Sequence, residues 1–187
     1  MDFQEILTRR QSCRAYDPDK VPPRNLVEQV LEAGRMAPSA CNGQPYHFYV
    51  VQGPQAARVG ELTRIMGING FTGDVPCFIV ITRSANCARA AAFTEQLGQD
   101  FRPVDIGIAA AYLTARACEL GLSTCILGCF DEPGLQSLLG TRDAVSLVIA
   151  LGYARAGDPL RTKKRREPEQ LITWVGSETD GMGEEQP

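Results

Sequence analysis

Two apolar segments, 77–82 and 144–151, constrain the fold of this chain more than any other feature. Each is an almost unbroken run of apolar residues, which is typical of a strand buried on both faces of its sheet. Such a strand needs helices above and below it, and segments with helical apolar spacing occur at 26–37, 55–65 and 104–120. Because helices and strands alternate along the chain, the sequence predicts a three-layer α/β/α sandwich with helices on both faces of the sheet.

Shorter segments complete this pattern. Residues 46–51 and 124–127 are expected to be strands, whereas residues 2–10 and 133–139 have the spacing of short helices. Asn25 follows two prolines and is expected to N-cap the helix that ends near residue 37.

Two segments carry no regular pattern. Residues 66–74 are Gly-rich and are expected to be irregular, and residues 84–102 are expected to form a loop.

The composition predicts one folded domain over residues 1–175. Hydrophobic residues make up 44% of the 187 residues and charged residues 22%, which is ordinary for a globular protein. The chain then becomes rich in Gly and Glu, so residues 176–187 are expected to form a disordered acidic tail.

Charge, hydropathy and cysteine spacing argue against several classes of protein. The formal net charge is −3, without the broad basic face that nucleic-acid binding needs. No apolar run approaches the ~20 residues that span a bilayer. The N-terminus has acid before its apolar residues and base after them, the reverse of a secretory signal, so a cytoplasmic location is expected. The seven cysteines include no Cys-x-x-Cys, which favours reduced thiols over disulfides or a zinc site.

The basic residues are clustered. Eight of the nineteen lie in two short segments near opposite ends of the chain. A fold that brought the segments together could hold a phosphate, while two solvated surface runs are the alternative from charge alone. The eight residues are Arg9, Arg10, Arg14, Arg161, Lys163, Lys164, Arg165 and Arg166.

Familiar catalytic motifs are absent. The single histidine, His47, lies in a predicted strand and is expected to be structural, which disfavours hydrolytic sites built on histidine. The chain has neither a Walker P-loop nor a Gly-x-Gly-x-x-Gly after its first strand. The loop 38–45 instead offers hydroxyl and amide side chains between two prolines, which can hydrogen-bond a flat heterocycle; an ordinary surface loop is the alternative.

Several motifs, taken together and in order, resemble those of the nitroreductase family of FMN-dependent oxidoreductases. The resemblance covers residues 2–174, and its most specific part is the segment from Ala37 to Tyr46, which matches Ala-Pro-Ser-x-x-Asn-x-Gln-Pro-Trp except for the final Tyr. The other matching segments are Arg9 to Tyr16, Asp105 to Ala109, Gly121 to Cys125, Gly128 to Asp131 and Lys164 to Pro168.

The resemblance implies an α+β fold with a mixed, mainly antiparallel sheet, in which two chains form an intertwined homodimer with FMN at the subunit interface. It also implies an enzyme that uses NAD(P)H to reduce nitro, quinone or similar small acceptors by a ping-pong hydride mechanism. FMN carries this chemistry, so no catalytic side chain is expected.

The resemblance also assigns the cofactor-binding residues. Arg10, Lys164 and Arg166 would hold the phosphate, while Arg9, Arg161, Lys163 and Arg165 would be solvated or paired with acids. Ser12 and Arg14 would bind the ribityl and pyrimidine side, and the backbone around Leu127, Gly128 and Cys129 would face the central ring. The other subunit would contribute Pro38, Ser39 and Asn42, and the remaining candidates are Gln11, Ala40 and Asn69.

One departure from the family pattern affects the pyrimidine end of the flavin. Many members have a Lys in the segment before the second core strand, whereas residues 65–73 contain neither Lys nor Arg, so Asn69 is the nearby polar candidate. Residues 84–102 would lie over the substrate side but carry no recognisable signature. Other readings therefore stay open: a specialised branch that catalyses dehalogenation, oxidation or flavin fragmentation, a non-enzymatic FMN-binding protein, or a phosphate-binding module without flavin.

Overall fold

The computed structural model of the chain describes residues 1–175, and the expected acidic tail, 176–187, lies outside them. The helices are α1 (Phe3–Arg9), α2 (Arg24–Arg35), α3 (Pro54–Thr63), α4 (Ala88–Leu97), α5 (Arg102–Glu119) and α6 (Glu132–Leu139). The strands are β1 (Tyr46–Gln52), β2 (Cys77–Arg83), β3 (Ser123–Leu127) and β4 (Ala144–Gly152).

The four strands form one sheet in the order β1-β2-β4-β3. All three ladders are antiparallel, with Ile79 paired to Ile149 at the centre and a register shift between Ile81 and Thr82. A parallel component enters through an isolated bridge between Ser12 and Thr124, which adds the N-terminal segment beside β3. The expected mixed, mainly antiparallel sheet is therefore confirmed.

Helices cover both faces of this sheet. On one face α2 and α5 bury Val30 and Leu113 against Ile79, while on the other α3 and α6 bury Val59 and Leu135. Full burial of each such side chain contributes about 1.5–3 kcal/mol. The central strand β2 is buried along Cys77 to Thr82, as its unbroken apolar sequence predicts, and the three-layer sandwich is confirmed.

The start of α2 differs from the expectation. Pro23, not Asn25, occupies the N-cap position in an extended conformation (φ −69°, ψ 150°), and no side chain caps the helix. Because the proline ring already fixes the extended backbone, the helix begins at Arg24 and takes Asn25 into its first turn. A side-chain cap does occur at α1, where the Asp2 carboxylate accepts from the Glu5 N–H at 2.8 Å.

Residues 84–102 also differ from the expectation, because they contain α4 rather than an uninterrupted loop. This helix is Ala-rich and buries only Ala90, so it lacks the apolar stripe by which a packed helix is recognised in sequence. It ends at Gly98, which adopts the left-handed conformation (φ 69°) typical of a helix C-terminus.

Neither a membrane-spanning helix nor a metal site occurs in the described part of the chain. No helix there has the length and apolarity needed to cross a bilayer. No group of three or more His, Cys, Asp or Glu side chains there is placed to hold a metal ion.

Candidate cofactor site

The N-terminal basic segment lies along β3. Ser12 pairs with Thr124, and the Cys13 N–H donates to the Thr124 carbonyl at 2.9 Å. Burial raises the pKa of the Cys125 thiol, and the nearby charges of Arg14 and Arg10 oppose this rise. Both arginines therefore lie around β3, the strand that leads to residues 127–129.

The C-terminal basic segment is held against the N-terminal one. The Gln11 side-chain amide donates to the Pro159 carbonyl at 3.1 Å and accepts from the Arg161 N–H at 2.9 Å. The Lys163 ammonium donates to the Thr8 carbonyl at the end of α1. These contacts bring together the two clusters that the sequence separates by about 150 positions.

A cleft of about 740 Å³ between α1, α5 and β3 collects part of this positive charge. Arg10, Lys163 and Arg165 line it together with apolar side chains such as Phe3 and Tyr112. Lys163, expected to be solvated or paired with an acid, forms no ion pair within residues 1–175, and its ammonium donates to a backbone carbonyl at the surface. Burial lowers the pKa of Lys163, and the charges of Arg10 and Arg165 lower it further.

The other cations of the C-terminal cluster differ in their surroundings. Lys164 and Arg166 are exposed. Arg161 forms an ion pair with Asp158 at 2.6 Å, as expected of a residue outside the phosphate group. Within residues 1–175 no carboxylate forms an ion pair with Arg10, Lys163 or Arg165, although Glu119 lines the same cleft.

The loop 38–45 has an unusual backbone. Cys41, Asn42 and Gln44 have positive φ angles of 53°, 52° and 46°, a left-handed conformation that costs non-glycine residues on the order of 1–3 kcal/mol each. Hydrogen bonds fix this shape: the Ser39 hydroxyl accepts from the Gln44 N–H, and the buried Asp105 carboxylate of α5 accepts from the Ala40 N–H, both at 3.0 Å. Pro38 and Asn42 remain exposed at the surface of the loop.

The end of β3 is open. Leu127 is buried and paired with Val148, whereas Gly128 and Cys129 are exposed. A Cβ atom on Gly128 would meet nothing within 4 Å, and the φ angle of Gly128 is not positive. Neither packing nor backbone conformation within residues 1–175 requires glycine here, so the space fits a flat ligand against the backbone. This open edge lies at the end of the strand whose Thr124 pairs with Ser12 of the N-terminal basic segment.

Comparison with protein families identifies the family of this chain. The model of the nitroreductase family matches residues 7–153, which include the N-terminal basic segment, the loop 38–45 and the end of β3. The chain belongs to the nitroreductase family. A relative from this comparison, the FMN reductase [NAD(P)H] of Bacillus subtilis (strain 168), is 29% identical over 181 residues, covering 89% of this chain and 70% of the relative.

Solved structures share the nitroreductase fold. A nitroreductase family protein from Streptococcus pneumoniae TIGR4 is 20% identical with a TM-score of 0.77, covering 93% of this chain and all of the other. A mutant of an FMN and NADPH-dependent nitroreductase from Sphigopyxis sp. strain HMH is 19% identical with a TM-score of 0.78, covering 95% of this chain and all of the other. These likenesses establish the fold.

The Asn69 side chain hydrogen-bonds to the backbone in this nitroreductase-family chain. It adopts a left-handed conformation (φ 60°), and its amide donates to the Thr63 carbonyl at the end of α3 at 3.1 Å. Sequence reasoning missed Arg64, which lies one residue before the segment searched for a cation. A guanidinium nitrogen of Arg64 would be 3.5 Å from a Cβ on Gly73, so a positive charge does lie against residues 70–74.

His47 lies on the edge strand β1, where its side chain is exposed. Its ring packs edge-on against the Tyr49 ring, with the two ring centroids 4.6 Å apart. The expected structural role of the single histidine stays a prediction.

Proposed function

We propose that this chain is an FMN-dependent oxidoreductase that takes electrons from NAD(P)H and reduces small acceptors such as nitro or quinone compounds. The observation that carries the proposal is the convergence of Arg10 with the C-terminal basic segment beside a strand that ends at the open backbone of Gly128. Membership of the nitroreductase family supports the same cofactor and electron donor.

The groups proposed to bind FMN come from both subunits of the proposed dimer. Arg10, Lys164 and Arg166 would hold the phosphate, each charge-assisted hydrogen bond contributing about 1.5–3 kcal/mol. Ser12 and Arg14 would contact the ribityl and pyrimidine side, and the backbone at Leu127, Gly128 and Cys129 would lie against the central ring. A second subunit would supply Pro38, Ser39, Ala40 and Asn42.

FMN, once bound, would supply the redox chemistry in two half-reactions, one with NAD(P)H and one with the acceptor. The protein would orient the ring and stabilise its negative charge. Arg14 is the cation proposed for the pyrimidine end, and Arg64 is a second because its guanidinium lies against residues 70–74. Hydride transfer demands no side-chain acid or base, which agrees with the peripheral position of His47.

We propose that the working unit is a homodimer in which residues 1–175 act as one domain. Exposed apolar side chains crowd the surface formed by α1, α5 and β3, which here is called the α1/α5 face. Clusters of exposed apolar side chains mark interaction surfaces, so a second copy is the proposed cover. The members are Phe3, Leu7, Val104, Tyr112 and Ile126.

Anaerobic reduction tests the function directly. The purified protein, loaded with FMN, is mixed with NADPH or NADH without air, and bleaching of the yellow flavin absorbance is followed before nitro and quinone acceptors are added. Rapid bleaching followed by acceptor-dependent recovery supports the proposal. A protein that takes up no FMN refutes it, and one that holds FMN without being reduced by either nucleotide is a binding protein instead.

Removing the Arg10 guanidinium should weaken FMN retention. Arg10→Ala deletes a charge-assisted contact to the phosphate, so we expect the FMN dissociation constant to rise by roughly tenfold or more. Flavin fluorescence titration measures the change. Arg24→Ala is the matched control, because Arg24 is exposed on α2 and pairs with Glu28 there. Equal retention in both variants would contradict the proposed phosphate site.

A further inference from the structure

Gln11 lies in the sequence between two proposed FMN ligands, Arg10 and Ser12. Its side chain, however, hydrogen-bonds to the backbone of the C-terminal basic segment. The amide nitrogen donates to the Pro159 carbonyl at 3.1 Å, and the amide oxygen accepts from the Arg161 N–H at 2.9 Å. The side chain thus binds a C=O and an N–H two residues apart on a single segment. A neighbouring strand pairs with an extended chain in the same manner, so this contact fixes the register of the segment.

Other hydrogen bonds hold residues 155–161 in place beside Gln11. The Arg155 N–H donates to the Ala15 carbonyl at 2.9 Å, and the Asp158 N–H donates to the Arg155 carbonyl at 3.0 Å. The Asp158 side chain is only 5% exposed, and its carboxylate pairs with Arg161 at 2.6 Å. A buried carboxylate therefore holds Arg161 next to the Gln11 amide.

We propose that Gln11 is a positioning residue, which sets the register between the two basic segments and so decides which cations of the C-terminal segment reach the phosphate. The inference rests on the proposed function, because it concerns the proposed FMN phosphate site. It departs from the family expectation that residue 11 contacts the cofactor. A slip of one residue in this contact would exchange the exposed Lys164 and Arg166 for Lys163 and Arg165, which line the cleft between α1, α5 and β3.

The chemistry of the contact requires an amide. A carboxylate at residue 11 could accept from the Arg161 N–H but would repel the Pro159 carbonyl, and a hydrocarbon would bind neither. Gln11→Leu therefore removes both bonds at similar volume, and Gln11→Glu removes one. Gln55→Leu is the matched control, because Gln55 is exposed on α3.

A double-mutant cycle separates positioning from direct contact. FMN and riboflavin affinities are measured for the wild type, Gln11→Leu, Arg166→Ala and the double variant. We expect Gln11→Leu to weaken FMN binding by about tenfold, as for the loss of one to two hydrogen bonds, and to leave riboflavin binding unchanged. In the double variant we expect little further loss, because Arg166 is already out of place. If the loss of FMN affinity in the double variant equals the product of the losses in the two single variants, the inference is overturned.

Hydrogen exchange of the cofactor-free protein provides the second measurement. The Arg161 N–H is expected to exchange faster in Gln11→Leu and in Gln11→Glu than in the wild type or Gln55→Leu. Unchanged exchange in both Gln11 variants overturns the inference even if FMN affinity falls. Circular dichroism verifies folding, and Gln11→Glu serves if Gln11→Leu does not fold. A wild type that binds no flavin refutes the proposed function and this inference together, whereas FMN binding with fully multiplying losses refutes the inference alone.

Discussion

Gly60 and Gly128 differ in what a side chain would meet. A Cβ on Gly60 would lie 2.6 Å from the Thr72 carbonyl oxygen, a backbone atom that cannot turn away, whereas one on Gly128 would meet open space. We expect Gly60→Ala to lower the free energy of unfolding by about 1–3 kcal/mol. Gly128→Val should change it by less than about 0.5 kcal/mol but should weaken FMN binding, because the proposed ring lies there.

Urea unfolding and flavin titration of both glycine variants check this contrast. Normal FMN affinity in Gly128→Val would count against the proposed position of the ring, and normal stability in Gly60→Ala would contradict the packing between α3 and residues 70–74.

The cysteines are expected to react with iodoacetamide according to their burial. Cys129 is exposed, whereas burial raises the pKa of the Cys77 thiol to about 12, so that almost no thiolate forms at pH 8. We expect rapid labelling of Cys129 and none of Cys77 in the folded protein, as read by mass spectrometry of peptides. Bound FMN should slow the labelling of Cys129. Labelling of Cys77 at the rate of Cys129 would contradict the buried position of β2.

At the scale of elements, the sequence predicts the strands and buried helices well, because their stability comes from apolar burial that the residue pattern displays. The sequence-based prediction fails for elements whose position does not depend on apolar burial. The helix α4 buries only Ala90 and so shows no apolar stripe, and the start of α2 follows the backbone of Pro23 rather than the side chain of Asn25. The left-handed residues 41, 42 and 44 are equally hidden, since none is a glycine.

An ion pair at the start of α5 should make stability depend on pH. The Asp100 carboxylate accepts from the Arg102 guanidinium at 2.8 Å and from the Arg102 N–H at 3.0 Å, and the Arg102 bonds lower the Asp100 pKa to about 2. Because the pKa is lower in the folded state than its ordinary value near 3.8, the stabilisation is complete above pH 4 and is lost between about pH 4 and pH 2.

We expect Asp100→Asn to lower the free energy of unfolding by about 1 kcal/mol at pH 7, a modest value because the pair is partly solvated. The difference from wild type should narrow as the pH falls below 4, which urea unfolding at a series of pH values measures. Asp143→Asn is the control, since Asp143 is exposed and forms no ion pair within residues 1–175. A difference that stays constant down to pH 2.5 would contradict the assignment.

At the scale of the whole molecule, the resemblance of short motifs predicts that the two basic segments meet, and the structure brings them together. It does not predict which cations lie where. Lys163 and Arg165 line the cleft between α1, α5 and β3, an outcome decided by the Gln11 contact and the carbonyl at the end of α1. Such contacts depend on the final positions of segments that are distant in sequence, so local residue patterns carry no trace of them.

The proposed dimer gives an expectation for the α1/α5 face. Tyr112→Glu would place a charge on this apolar surface, so we expect the protein to sediment as a monomer and to bind FMN weakly. Val21→Glu is the control, because Val21 is exposed on the segment before α2. Analytical ultracentrifugation distinguishes the outcomes. A wild type that is monomeric at micromolar concentration and still retains FMN would contradict the dimer.

The contact between Gln11 and Arg161 also bears on how the protein matures. Arg161 leaves the ribosome 150 residues after Gln11, so most of the sheet and its covering helices can assemble before the two basic segments meet. Bringing two segments 150 residues apart together carries a large entropic cost in an unfolded chain. Folding of the sandwich between them already brings their ends close, so the contact itself forms with little further loss of entropy. Nascent chains shorter than about 160 residues therefore lack the proposed phosphate site, and cofactor loading is a late event in biosynthesis.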